Sequence, residues 1–222
     1  MKRRVLVIAP HPDDELLGCG GTLLRRRAEG ARIDWLIATG MSEKAGWPAE
    51  RVEQRAREIE SVAALLGVHE VFQLGFEPTR LDTVPLAEVV QRIGDVIRAC
   101  EPDELFVPAA NDAHSDHRVV FDAASGCAKW FRYPSVKRVL AYETLSETDF
   151  SLRSDAAFRP NCFVDISAHL ERKLEILSTY QSELGEHPFP RSTAAVRALA
   201  TLRGAASGFM AAEAFELLRE RS

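Results

Sequence analysis

The strongest constraint on this chain is the stretch Ala9-Pro10-His11-Pro12-Asp13-Asp14-Glu15, which closes the run Arg4-Val5-Leu6-Val7-Ile8-Ala9. That run is too short for a core helix and rich in β-branched residues, so it reads as a buried parallel strand. Leu16-Leu17 and Leu23-Leu24, set among small residues, read as the helix that follows. Pro10 and Pro12 each lack a backbone N–H and stiffen the turn between them. His11 and Asp14 stand three apart at the carboxyl end of the strand, where open α/β sheets place their ligands. Imidazole with carboxylate suits a divalent ion such as zinc, leaving Asp13 or Glu15 over as a base. A plainer assignment has Asp13 cap the helix while Asp14 and Glu15 complement its dipole. It accounts for the acids and leaves His11 without a role.

A length of 222 residues suits one α/β domain, and 46% hydrophobic with 27% charged residues is ordinary for a soluble globule. The net charge of -5 gives no reason to expect nucleic acid. No apolar run has the length of a membrane span. Lys2-Arg3-Arg4 before apolar residues has the look of a signal peptide, but the apolar part is short and ends in Pro-His-Pro-Asp-Asp. The expected location is the cytoplasm. Cys19, Cys100, Cys127 and Cys162 are far apart and form no Cys-x-x-Cys pair, so neither a disulfide framework nor a cysteine zinc site is expected.

Along the chain, strands and helices alternate. The first helix, about 14–29, contains Gly18-Cys19-Gly20-Gly21-Thr22, which fails as a dinucleotide fingerprint because its sixth position is Leu23. The small residues instead suit close packing on the sheet. Arg25, Arg26 and Arg27 read as a solvated helix end. Strands are expected at 33–38, 70–74, 104–107 and 136–142, with helices at 48–66 and 86–100 between them. This repetition implies a parallel sheet with right-handed crossovers. In the second helix Arg55 and Glu58 are three apart, as an ordinary surface ion pair would be.

The fourth strand repeats the logic of the first. It ends in Asn111-Asp112-Ala113-His114-Ser115-Asp116-His117, and a helix is expected at 119–131. His114 and His117, three apart, point the same way on a turn-like backbone. Neighbouring parallel strands share their carboxyl edge, so His11, Asp14 and one or both of these histidines can meet around one ion. Beyond the fifth strand, 158–164 reads as a short strand. Asp165 or Ser167 is placed to cap a helix striped by Leu170, Leu174 and Leu177, and a last helix covers 193–205. His69, His169 and His187 lack a second ligand at useful spacing and read as structural.

Ala-Pro-His-Pro-Asp-Asp-Glu at 9–15 with His-Ser-Asp-His at 114–117 resembles the PIG-L/LmbE-like family of zinc-dependent N-deacetylases. Arg55-Ala-Arg-Glu58, residues 173–182 and Ala212-Glu-Ala-Phe215 are similar to its other segments, so the likeness runs from residue 4 to about 216. Pro10, where alanine is commoner, and the inverted order Gln181-Ser182 depart from the pattern. The resemblance implies a Rossmann-like three-layer α/β sandwich with a mostly parallel sheet. It would form one domain over 1–222, with a core at 1–145 and a C-terminal strand and helices at 146–222 completing the substrate site. It implies a hydrolase that removes an acetyl group from an N-acetylglucosamine-type sugar or conjugate, a small-molecule substrate. His11, Asp14 and His117 would hold the ion, Zn2+ or Fe2+. Asp13 would be the general base, His114 would act on the oxyanion or leaving amine, Asp116 would orient His114, and Arg55 would touch the sugar. It is also compatible with a homo-oligomer.

The residue types suit that chemistry independently of the likeness. Two imidazoles and one carboxylate leave a divalent ion with net charge and open positions, able to lower the pKa of water to about 7 and polarise an acetyl carbonyl. Trp47, Arg80 and Glu143 are further candidate sugar contacts, each equally readable as a surface or packing residue. Two other functions fit the pattern: a metalloamidohydrolase acting on a glycopeptide or non-sugar N-acyl group, or a non-catalytic protein that binds sugar or metal.

Overall fold

The computed structural model describes residues 2–152 and 157–222. The run that opens the chain is strand β1 (Arg4–Ala9), with Val5 through Ala9 fully buried. β2 (Arg32–Thr39) pairs parallel to one side of it and β4 (Glu104–Pro108) to the other. β3 (Glu70–Phe76) lies outside β2, and β5 (Arg138–Tyr142) outside β4, both parallel. β7 (Ala212–Glu220) and β6 (Cys162–Asp165) complete the sheet in the order β3-β2-β1-β4-β5-β7-β6. β7 is antiparallel to both of its neighbours. The connections from β1 lead to β2 on one side and, after β3, to β4 on the other. The switch point of the sheet therefore falls between β1 and β4, where such folds bind ligands.

Alternation along β1 divides the core into two layers. Val5, Val7 and Ala9 face a cluster with α1 (Asp14–Ala28), α2 (Ala49–Leu66), α5 (Leu170–Leu177) and α6 (Thr193–Ser207). Leu6 and Ile8 face α3 (Leu86–Cys100) and α4 (Ser115–Gly126). The result is a three-layer α/β sandwich. The small residues of α1 allow its close approach, since a Cβ on Gly18 would sit 2.2 Å from the Tyr142 ring and one on Gly21 2.8 Å from Ile166.

Several expectations need correction. The helix placed at 119–131 is α4, beginning at Ser115 and ending at Gly126, so the His-x-x-His segment belongs to its first turn. The strand placed at 158–164 is confined to Cys162–Asp165. Residues 212–220 form a full strand that hydrophobic pattern alone did not reveal, because β7 is buried only over its first half and exposed at its end. Asp165 accepts from Ser167 in the turn before α5, and His169 rather than either residue occupies the N-cap. The arginine run is a solvated end only in part, with Arg27 exposed and Arg26 buried. Arg26 is buried and donates through Nε to Glu104 at 2.9 Å, while Arg25 donates to the Asp165 carbonyl and Arg27 to the Gly67 carbonyl.

The C-terminal segment is locked to α1 through a buried ion pair. Lys173 Nζ meets Glu213 Oε1 at 2.7 Å and the Leu17 carbonyl at 3.0 Å. The same carboxylate accepts the amides of Gly21 and Thr22 at 2.8 and 2.7 Å. Removing one partner of such a pair leaves the other charged in a low-dielectric interior, at a cost of about 3–5 kcal/mol. Lys173→Met should lower the unfolding free energy measured in urea by that order, and Lys173→Met with Glu213→Leu should recover much of the loss in the same titration.

Candidate active site

The carboxyl ends of β1 and β4 open into a cleft of about 230 Å3. Its floor comes from the two motif loops, His11 to Asp14 and His114 to His117. Its walls come from Thr39 at the end of β2 with Gly40, Met41 and Trp47 after it, Pro78 and Thr79 after β3, Thr144, Ser146 and Glu147 after β5, Arg55 of α2, and Glu183 and Arg191 from the C-terminal part.

At the centre is the Asp14 carboxylate. One oxygen, Oδ2, accepts the His11 backbone amide at 2.8 Å and lies 3.4 Å from His11 Nδ1 and 3.3 Å from His117 Nε2. The candidate ligand atoms of His11, Asp14 and His117 all lie within 4.8 Å of one another. That is a three-donor set of two nitrogens and one oxygen, the composition of an open metal site. His11, His114 and Asp116 form a second cluster of the same spread. The carboxylate of Asp116 is already committed, however: it accepts the amides of Thr79 at 2.7 Å and Leu81 at 3.2 Å. It holds the loop after β3 and is the weaker candidate for an ion. At the opposite edge of the sheet, Asp34, His69 and Glu70 also cluster, but Arg32 Nε already donates to both Asp34 oxygens.

The neighbours of the three donors fix their orientation. His117 Nδ1 faces Asp112 Oδ2 at 2.7 Å, and Thr148 Oγ1 donates to the other Asp112 oxygen at 2.6 Å. A carboxylate behind a ligating imidazole sets its tautomer and raises its basicity. Asp112 has no role assigned from the sequence alone, where an acid five residues before His117 in a strand-exit loop is the available signal. Asp116 Oδ2 lies 3.0 Å from His11 Nε2 and 4.0 Å from His114 Nδ1. The Asp116 carboxylate is thus nearer His11, with His114 at the limit of ion-pair distance. His114 Nδ1 accepts the Asp116 amide as the N-cap of α4.

Asp13 occupies the N-cap position of α1 at φ 123° and ψ −28°, but its side chain makes no cap bond. Positive φ at a non-glycine residue is strained and persists only where surroundings enforce it. Here its amide donates to Glu15 Oε2 at 3.0 Å, and Tyr180 Oη donates to Glu15 Oε1 at 3.0 Å. Arg191 Nη1 donates to Asp13 Oδ2 at 3.1 Å. Arg191 also reaches Glu183 at 3.4 Å, and Arg55 donates to Glu183, to Ser182 at 3.1 Å and to the Pro12 carbonyl at 3.2 Å. Arg55 and Glu58 are both buried, 3.3 Å apart, so theirs is not a surface pair.

Of the other expected contacts, Trp47 lines the cleft and Arg80 is exposed off its wall. Glu143 is likewise outside the cleft, held bidentately by Arg203 at 2.8 and 2.6 Å. Glu147, Glu183 and Arg191 line the cleft without having been singled out, because tertiary contact alone distinguishes them from other surface charges.

Burial and neighbouring charge set the protonation of these groups. Burial works against charge on Asp14, but His117 and His11 beside it hold its carboxyl far below the usual range. Burial opposes a proton on His11 as well, yet Asp116 and Asp14 outweigh it and push His11 up to about 9. Asp13 is pushed up to about 7 by burial and by Asp14, against the pull of Arg191. His114 is pushed down to about 4 by burial and by His11.

The PIG-L family model, described as GlcNAc-PI de-N-acetylase, matches residues 6–128. Diacetylchitobiose deacetylase of Thermococcus kodakarensis is 28% identical over 221 residues, covering 95% of this chain and 81% of that one. A probable N-acetyl-alpha-D-glucosaminyl L-malate deacetylase 2 of Bacillus cereus is 25% identical over 196 residues, covering 82% and 84%. The solved structure of N,N'-diacetylchitobiose deacetylase from Pyrococcus horikoshii superposes with a TM-score of 0.79 at 24% identity, over 98% of this chain and 84% of that one. The last is a likeness of fold.

Protons and a metal ion compete for the same lone pairs, which gives the site a definite pH dependence. His11 is protonated below about 9, so its lone pair becomes free as pH rises toward that value. Apparent affinity for Zn2+ should fall as pH is lowered from 9, by about tenfold per unit from His11 alone. A fold contribution from the same proton has the opposite sign: it is full below the unfolded value of 6.5 and lost as pH rises through about 9. Chelator-competition titrations between pH 6 and 9 test this, and a flat affinity would refute it. In the same assay Asp112→Ala should weaken Zn2+ binding about 10- to 100-fold.

Proposed function

The chain belongs to the PIG-L family, and from that premise we propose that it is a metal-dependent hydrolase removing the acetyl group from an N-acetylglucosamine-type sugar or sugar conjugate. The observation that carries this reading is the joining, in one cleft, of the His11–Asp14–His117 donor set with a separate carboxylate, Asp13, held by Arg191 through one oxygen. A protein that only bound metal or sugar would have no need of that second carboxylate.

His11, Asp14 and His117 would hold the ion, with zinc preferred and ferrous iron accepted by the same donors. When bound there, a divalent ion supplies a Lewis acid that polarises the acetyl carbonyl and makes water acidic enough to be activated near neutral pH. The chain's own residues supply the proton handling. Arg191 engages Oδ2 of Asp13 and leaves Oδ1 to take a proton from the attacking water. A carboxyl pushed up to about 7 is well matched to both halves of the reaction. It is basic enough to accept the proton and acidic enough to return it to the nitrogen as the C–N bond breaks. His114, pushed down to about 4, is held toward its neutral form and offers a hydrogen bond at the reacting carbonyl more readily than a proton. We therefore assign the amine's proton to Asp13. Arg55 is saturated by Glu183, Ser182 and Pro12. Its role at the sugar is to shape the wall and hold the loop that carries Arg191.

The test is acetate release from purified protein of known metal content. The panel is N-acetylglucosamine, diacetylchitobiose, and inositol- and malate-linked N-acetylglucosamine, each before and after chelation. Chelator-sensitive release from any of them is expected, and its absence from all four with metal-loaded protein would overturn the substrate class. Asp13→Asn should lower kcat by about 10²- to 10⁴-fold with metal content unchanged, whereas His117→Ala should lose metal and activity together.

A further inference from the structure

The acids of the cleft are paired with one exception. Asp13 faces Arg191, Glu183 faces Arg55 and Arg191, and Asp14 faces His11 and His117. Glu147, half-buried in the wall, makes no ion pair among the described residues; the Ser146 hydroxyl lies 3.4 Å from its Oε1.

Glu147 is nevertheless built into place. Its carbonyl accepts the Ala113 amide at 3.0 Å, and its amide donates to the Thr144 carbonyl at 3.1 Å. The next residue, Thr148, holds Asp112, which in turn holds His117. The preceding residue, Ser146, lines the cleft at φ 74°, a left-handed conformation that L residues adopt at a cost. Two local costs, a strained backbone and a half-desolvated carboxylate without an ion-pair partner, thus meet at one point of the wall. Such costs collect where a ligand relieves them. Burial, with a further push from Asp14 and Asp112 against the pull of His117 and Arg191, holds this carboxyl above its usual range.

Resting on the deacetylase reading, we propose that Glu147 is a specificity-determining residue that receives a protonated amine of the substrate. The chain's preferred substrate is then an N-acetylated amino sugar bearing a second, unacetylated amino group. A neutral hydroxyl could fill the hydrogen-bonding capacity of the carboxylate, but only a cation also meets its charge. Every other acid of the cleft has a cation within the chain. His117 and Arg191 act on Glu147 from beyond ion-pair distance, so a cation in direct contact with it comes from the ligand.

The test separates recognition from turnover. Metal-loaded Asp13→Asn protein, which should not consume the probes, is titrated calorimetrically at pH 6.5 with two disaccharides. They are N-acetylglucosaminyl-glucosamine and diacetylchitobiose, which differ in one acetyl group. The amine-bearing probe should bind about tenfold more tightly, an advantage that shrinks with added salt and vanishes in Asp13→Asn with Glu147→Gln. Equal affinities, an advantage that survives Glu147→Gln, or no binding of either probe would overturn the assignment. Failure of the deacetylase reading would be seen separately, as wild-type protein that binds the probes and releases no acetate.

Discussion

One carboxylate oxygen organises this molecule. Asp14 Oδ2 gathers the backbone amide and ring of His11 and the ring of His117 from two loops 100 residues apart. It can do so because β1 and β4 are hydrogen-bonded neighbours that end at the same edge of the sheet. The seam between them is where crossovers diverge to either side, leaving a gap between the loops in place of a covering connection. Remove that adjacency and the two motifs are unrelated polar segments.

Around that point lies a ring of support drawn from the rest of the chain. The loop after β5 supplies Thr148 to hold Asp112 behind His117. The loop after β3 presents two amides to Asp116, which then faces His11. Tyr180 reaches Glu15, which fixes the strained Asp13 backbone, and Arg191 fixes that residue's carboxylate. Each imidazole at the centre therefore has a carboxylate at its back, and the proposed base is held at both its backbone and its side chain. Such preorganisation lets groups meet a developing charge without first having to move.

The C-terminal part matters because it carries much of this support. Strand β7 joins β5 in the sheet, and its Glu213 pairs with Lys173 under α1. Arg203 of α6 clamps Glu143 at the end of β5. Arg55 of α2 is joined to Glu183 and Ser182, so the segment bearing Arg191 is tied to the helix beside the first motif. The buried ion pairs are weak as sources of net stability, since desolvation offsets their attraction, but they are demanding about geometry. Here they fix where Tyr180 and Arg191 stand relative to Asp13.

Much of this was legible in the residues themselves. A β-branched run broken by two prolines, a histidine and three acids determined the first strand, the turn and the candidate ligands His11 and Asp14. The repeat of that pattern after the fourth strand determined where their partner histidines lie. Local chemistry sufficed there, because strand exits and ligand spacings are written over a few consecutive residues. What only the tertiary structure decided were relations between distant side chains. Asp116 lies closer to His11 than to His114, Glu143 is taken by Arg203, Arg26 is buried against Glu104, and Glu147 lines the cleft without an ion pair. A charged residue's role depends on which opposite charge reaches it and how much water is excluded from the pair, and both are set by the packing of segments far apart in the chain.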